Sequence, residues 1–281
     1  METTWFRMLV GAAHGPYERG VGARVQAGYV VMRFQFGGSS VVVNMPTQAA
    51  LMAEVTRRFA DGQGFALATI NLDHIAKMDR SPGFVDVYLG QDLVVADGWP
   101  VAALTRLARH PVELMPGSDL ILPLCALAAS QGVAVALVGS TEDALGAASA
   151  ALQSRVPGLE VTYRHAPPMG FDPTGEAARA VCNEVAASGA RLCFLAFGAP
   201  KQETLAAFAR SHAPAVGFAS IGAGLDFLAG RQRRAPKWVR RIGMEWFWRA
   251  ASSPARLGPR YLRCFAILPA RLVEALRLRR G

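Results

Sequence analysis

The sequence predicts an α/β fold: a Rossmann-like, mostly parallel sheet flanked by helices, followed by a basic helical C-terminal appendage. Three observations predict it. Short continuous apolar runs recur between segments of helical length, the pattern of strands buried on both faces. Small or polar residues follow those runs, so the loops leaving one edge of the sheet differ chemically from its interior. The charge is also uneven: residues 231–281 hold fourteen Lys and Arg against two acids, a net of +12, whereas the first 230 residues carry a net of −3.

The organisation follows from these patterns. Residues 1–33 give weak signals and read as a poorly defined lead-in, with an acidic Glu2 and too short an apolar run for a secretory signal. Residues 34–230 read as the α/β core and 231–281 as the appendage. Within the core, 41–43 reads as a strand, and Asn44-Met45-Pro46-Thr47 can cap a helix running to about Ala60. A strand at 65–70 is followed by Asn71 and a short helix, and a strand at 93–96 ends in Asp97-Gly98. The uncharged stretch 120–139 contains Pro123 and is cut by Ser130-Gln131-Gly132. It therefore reads as a buried helix, a turn and a buried strand at 133–138, not as a membrane span. Ser140 and Asp143 have the spacing of a capping box for the helix through Leu152. Strands at 159–163, 192–197 and 215–221 complete the set.

Composition narrows the chemistry. The cysteines Cys125, Cys182, Cys193 and Cys264 have no paired metal-ligand spacing, and reduced, buried thiols fit a cytoplasmic chain. The histidines form no H-E-x-x-H or similar cluster, so no metal site and no cofactor is expected.

The most informative segment is Phe197-Gly198-Ala199-Pro200-Lys201-Gln202-Glu203, between the apolar run 192–196 and the helical pattern 204–210. Gly198 permits a sharp turn, and Pro200 suits a first helical position. Lys201, Gln202 and Glu203 then gather at a helix start, where free N–H groups and a lysine suit a phosphate. An ordinary strand-to-helix turn with a solvated polar cluster would look the same. Other loops on that edge carry Thr69 and Asn71, Asp97, Gly139 and Ser140, and Gly222, Gly224 and Asp226. A dinucleotide site for an oxidoreductase fails on the third glycine, because Phe227 occupies its place. A nucleotide-sugar fits such loops, yet the chain has no Asp-x-Asp for a divalent ion on the diphosphate. Protein dipoles and cations would have to stabilise the leaving group. Asp97, a carboxylate at the end of an apolar strand, is partly desolvated, which suits a general base. It could equally cap the helix beginning near Trp99. Thr69 and Asn71 could likewise be a strand end and an N-cap, and Asp226 a turn residue.

Ten pieces in order resemble the WecG/TagA/CpsF family of bacterial glycosyltransferases across roughly 34–265. They are Thr69-x-Asn71; Asp97-Gly98; Gly117-Ser118-Asp119-Leu120; Val138-Gly139; Gly170-Phe171; the 197–203 segment; Gly222-Ala223-Gly224 with Asp226 and Gly230; Arg234-Ala235-Pro236; Gly243-Met244-Glu245-Trp246-Phe247-Trp248-Arg249; and Pro254-x-Arg256-Leu257 with Arg260-Tyr261. The resemblance implies metal-independent, inverting transfer of a hexose-type unit from a UDP-sugar to a sugar on a polyprenyl diphosphate. It implies Asp97 as the base and Thr69 and Asn71 beside the sugars. Gln202 and Asp226 would lie around the donor, and the Gly139, Gly198 and Gly222 loops would cradle the UDP. Members usually carry an arginine where this chain has Leu114, so another cation, such as an arginine of the C-terminal segment, has to take its place.

In that segment Arg231, Arg233, Arg234, Lys237, Arg240 and Arg241 interleave with Trp238, Trp246, Phe247 and Trp248. Basic residues with interfacial aromatics suit an anionic membrane surface or a lipid diphosphate. They would equally suit nucleic acid, or arginines that simply face water. A lipid-linked acceptor selects the membrane and not nucleic acid, with the chain peripheral on the inner face of the cell membrane. Oligomeric state is left open, a homo-oligomer included.

Overall fold

The computed structural model describes residues 32–231, 235, 236, 239, 248 and 254–279. Its centre is a six-stranded, wholly parallel sheet in the order β4-β3-β8-β7-β5-β6. The strands are β3 (Phe65–Ile70), β4 (Leu93–Ala96), β5 (Ala134–Gly139), β6 (Val161–His165), β7 (Ala190–Ala196) and β8 (Gly217–Ser220). The helices of the core are α1 (Gln48–Ala60), α2 (Leu72–Met78), α3 (Pro82–Leu89), α4 (Trp99–Leu107), α5 (Gly117–Ser130), α6 (Glu142–Arg155), α7 (Glu176–Ala187), α8 (Lys201–His212) and the short α9 (Gly224–Leu228).

Successive strand residues point to opposite faces, and here both faces are covered. Phe65 and Leu67 of β3 join one core cluster with Val55, Leu124 and Leu145 from α1, α5 and α6. Ala68 and Ile70 join another with Ile75, Val85 and Leu104 from α2, α3 and α4. This two-sided burial is why the strands read as unbroken apolar runs and not as alternating ones. Close approach of β5 and β7 needs Gly139: its φ is +111°, and a Cβ there would stand 2.6 Å from the Ala196 carbonyl oxygen.

Several local readings are corrected. The segment 41–43 does not join the parallel sheet: β1 (Arg33–Phe36) and β2 (Ser39–Val42) form a separate antiparallel hairpin. Buried Phe34 and Val41 mimic a sheet strand because the hairpin packs on the same core cluster as α2 and α3. Ser140 does not cap α6; Thr141 does, its hydroxyl accepting from Ala144 N at 3.4 Å. Pro200 is not the first helical residue but stands just before it, and α8 begins at Lys201. The strand expected at 159–163 is shifted to β6 at Val161–His165, because Leu159 still belongs to the turn after α6.

The last helix, α10 (Pro254–Leu278), packs against α2 and α4 and buries Cys264 and Ala275 in their cluster. Arg271, 7% exposed, fastens it. Its guanidinium donates to the Gln35 carbonyl at 2.9 Å and to Glu274 at 2.7 Å, pairs with Asp79, and lies 4.7 Å over the Phe36 ring. Glu274 accepts in turn from Gln35 N. The basic segment thus supplies one helix that is part of the packed body. Arg271→Ala takes the guanidinium from Asp79 and Glu274, of which Glu274 keeps the Gln35 N–H, so urea denaturation should show a loss of about 3 kcal/mol. An unchanged midpoint would mean that apolar contacts alone hold α10.

Candidate active site

The C-terminal ends of β4, β3, β8 and β7 open into one cleft of about 1080 Å³. Adjacent strands set the order of its polar residues: Asp97 follows β4, Thr69 and Asn71 belong to β3 and the residue after it, Gly222, Gly224 and Asp226 follow β8, and Gly198 and Gln202 follow β7. An apolar part of the wall comes from α4, Leu114 and α10: Trp99, Ala103, Leu107, Phe265, Leu268 and Leu272. The cleft therefore has a polar floor at the strand ends and an apolar side beneath the last helix.

Each polar residue is held by local geometry. Asp97 extends the β3–β4 ladder, its N–H donating to Ile70 O at 2.8 Å. The helix after it is capped by Gly98, φ +86°, without a side-chain hydrogen bond. Asp97 is half-buried on the cleft wall and does not serve as that cap. Asn71 does cap α2, Oδ1 accepting from His74 N at 3.1 Å, and it faces the cleft as well. Thr69 Oγ1 donates to the Ser220 carbonyl at 3.4 Å and ties β3 to β8. Gly139 and Ser140 lie just outside the lining but are joined to it, because Ser140 Oγ donates to Asp226 Oδ1 at 2.5 Å. Pro200 and Lys201 also lie outside the lining, at the start of α8.

Glu203 lies beneath the cleft, fully buried. Its Oε1 accepts from Gln202 Nε2 at 2.7 Å, and Gln202 Oε1 accepts from Gly222 N at 3.0 Å. Burial pushes the Glu203 carboxyl up to about 7 against the favourable hydrogen bond from Gln202. His74, buried beside it, is pushed down to about 3 by desolvation, so its imidazole is neutral. Its Nδ1 lies 2.6 Å from Tyr88 Oη and 3.9 Å from Glu203 Oε1.

The structure adds three residues that the sequence reading passed over as site candidates: Asp73, Lys77 and Arg260. Asp73 is 6% exposed and meets Lys77 Nζ at 2.8 Å and Arg260 Nε, from α10, at 3.2 Å. Burial acts to raise its carboxyl, but the charges of Arg260 and Lys77 outweigh that and hold it below the usual range. Lys77 and Arg260 both face the cleft, as does Arg263. The i,i+4 spacing of Asp73 and Lys77 on α2 was legible as a helical ion pair; the third member comes from almost two hundred residues away.

Of the basic residues singled out in the C-terminal segment, Arg231 donates to Asp143 Oδ2 at 2.9 Å and to Thr141 Oγ1 at 3.1 Å at the start of α6. Arg233, Arg234, Lys237, Arg240 and Arg241 lie outside the described residues. No helix among the described residues is long and apolar enough to cross a membrane.

The buried acid makes a test with a defined sign. Because the folded chain favours protonated Glu203, its contribution to stability is complete below pH 4.5 and is lost as pH rises through about 7. His74 acts oppositely, costing stability as pH falls from 6.5 toward 3. Glu203→Gln is permanently neutral there and leaves the histidine unchanged. Measured by urea denaturation, the variant should gain roughly 2 kcal/mol relative to wild type between pH 5 and pH 8. A difference that does not grow with pH would place an ionised Glu203 in the native state throughout.

The geometry is that of a cleft at the C-terminal edge of a parallel sheet, and nothing in it favours the dinucleotide oxidoreductase, since the Gly222 loop still lacks the third glycine. The sequence model of the Glycosyl transferase WecG/TagA/CpsF family matches residues 37–281, from the turn of the hairpin through α10. The match covers every strand of the sheet, the cleft and the last helix. The chain belongs to the WecG/TagA/CpsF family of glycosyltransferases, which act in cell-surface polysaccharide synthesis with a sugar-nucleotide donor and a lipid-linked acceptor.

Proposed function

We propose that the chain transfers a hexose-type unit from a UDP-sugar to a polyprenyl-diphosphate-linked sugar, with inversion and without a metal ion, in exopolysaccharide or cell-surface polysaccharide synthesis. The donor sugar is N-acetylmannosamine, its uronic acid, glucose or glucuronate. The observation that carries this reading is the gathering of Asp97, Thr69, Asn71, Gln202 and Asp226 on the floor of one cleft whose wall also holds Lys77 and Arg260. Asp97 takes the proton of the acceptor hydroxyl as its oxygen attacks the anomeric carbon, and the bond from that carbon to UDP breaks. The Gly198 and Gly222 loops hold the nucleotide, with Ser140 behind Asp226. Lys77 and Arg260 face the developing charge on the diphosphate. Arg260 stands in for the cation that Leu114 does not provide.

The acceptor's lipid accounts for the apolar side. Trp99, Leu114, Phe265 and Leu272 are at least 40% exposed and all line the cleft, so they form an apolar rim at its mouth. Leu262, Val273 and Leu276 extend that rim along α10, with Arg263 and Arg277 exposed beside them. Apolar side chains flanked by arginines are the surface an interfacial helix presents to anionic lipid. We place the chain on the inner face of the cell membrane, mouth toward the lipid.

Screening UDP-sugars by UDP release in excess EDTA tests the chemistry. Asp97→Asn should lower transfer by roughly 10²-fold or more while UDP affinity stays near wild type. Near-normal transfer by this variant, or activity that needs added Mg²⁺ or Mn²⁺, would overturn the mechanism. For the membrane, Trp99→Ser combined with Phe265→Ser should sharply reduce sedimentation with anionic phosphatidylglycerol vesicles. Wild-type binding by the pair would move the docking surface elsewhere.

A further inference from the structure

Glu203 lies under the cleft and the buried His74 borders it, neither on the proposed reaction path, yet their contacts run to two amides on its floor. Gln202, one of them, is 3% exposed. Its amide has a donor end and an acceptor end, and each is committed: Nε2 to Glu203 Oε1 at 2.7 Å, Oε1 to Gly222 N at 3.0 Å. Asn71, the other, is committed in the same way. Its Oδ1 accepts from His74 N at 3.1 Å, and its Nδ2 lies 3.4 Å from His74 Nε2. A donor facing Nε2 requires a lone pair there, so the neutral ring carries its proton on Nδ1, facing Tyr88 Oη at 2.6 Å. The two arms meet where His74 Nδ1 approaches Glu203 Oε1 at 3.9 Å.

We propose that Glu203 and His74 are a buried positioning pair that sets, from below, the orientation of the two side-chain amides facing the substrates, Gln202 and Asn71.

An amide has nearly the same shape when rotated by 180°, but it then offers an acceptor where it had offered a donor. Reversal of Gln202 would oppose its Nε2 to the Gly222 N–H and its Oε1 to the Glu203 carboxyl. Reversal of Asn71 would oppose its Nδ2 to the His74 N–H. The first reversal puts two donors together at the part-buried Gly222 N–H and the second does the same at the His74 N–H, so each gives up a hydrogen bond that the native orientation makes. Gly222 has φ +59°, a conformation that glycine leaves easily, so its amide needs the Gln202 oxygen to hold its direction. The acceptor strength of a carboxyl explains a glutamate here. Among the described residues no cation pairs with it, since the nearby His74 is neutral, and a residue needed only for packing would be apolar. Once Glu203 ionises, above about pH 7, its carboxylate can only accept, whereas a glutamine at 203 could present either end to Gln202 and would not choose.

The pair deepens the transferase reading for the groups that the amides touch, but it is tested without activity. In the wild-type chain, ¹⁵N NMR should show a neutral, Nδ1-protonated His74. The Gln202 side-chain amide hydrogens should exchange at least about tenfold more slowly than those of exposed Gln131. In Glu203→Gln that still unfolds in one cooperative urea transition, measured above about pH 7, Gly222 N–H exchange should accelerate about tenfold or more, the loss of one hydrogen bond, and UDP-sugar transfer should lose a similar factor in kcat/KM. Gln202 hydrogens that exchange as fast as those of Gln131, a His74 protonated on Nε2, or a folded Glu203→Gln variant with Gly222 still protected would overturn the pair. The wild-type measurements decide even if the variant does not fold. Protected amides in a chain that releases UDP from no donor would uphold the pair and overturn the transferase reading.

Discussion

Because helices cover both faces of the six parallel strands, a strand interior has no place for an unpaired polar side chain. Polar groups are displaced to the strand ends, where the backbone leaves the ladder and water can enter. That displacement builds the cleft. Asp97, Asn71, Gly222 and Gly198 follow four adjacent strands, so the order β4-β3-β8-β7 becomes a row of functional groups. Of the polar side chains that do stay buried near this edge, His74 and Gln202 hydrogen-bond to that row, through Asn71 and Gly222, and Glu203 to Gln202. They can be kept only because the row supplies partners for them.

The last helix imposes the second condition. Without α10 the cleft would be a shelf, open along the flank of α2 and α4. Arg271 sits about three turns along that helix from Arg260 and acts on the site through placement alone, since the seat at Gln35, Asp79 and Phe36 fixes where Arg260 falls. A hairpin that looks peripheral in the sheet diagram therefore anchors one wall of the site.

What was legible in the sequence follows from the range over which each signal acts. Runs such as 65–70 and 192–196 announce themselves because burial on both faces is a local property of composition. The hairpin strand at 41–43 was misread for the same reason: Val41 and Val43 are buried, and burial does not say in which sheet. Ser140 and Thr141 both suit an N-cap, and the choice was made by Asp226, which engages the Ser140 hydroxyl from eighty-six residues away. Asp97 and Asn71 stood out at strand ends, but the acid beneath Gln202 looked like a ligand contact until its burial was visible. Arg260 was noticed only within a motif, because its meaning depends on Asp73 and no spacing connects the two.

The Asp73 cluster has a consequence for ionic strength. One carboxylate faces two cations, Lys77 and Arg260, so a full unit of formal positive charge is left in a wall that is partly shielded from solvent. Mobile ions screen exposed arginines over about 8–10 Å at physiological salt, but they reach a half-dry cleft far less well. An anion held in the cleft and a membrane held by exposed arginines are thus weakened by salt to different degrees. Raising ionic strength should lift the chain from its lipid surface before it empties the cleft, so docking and substrate occupancy are separable by salt alone.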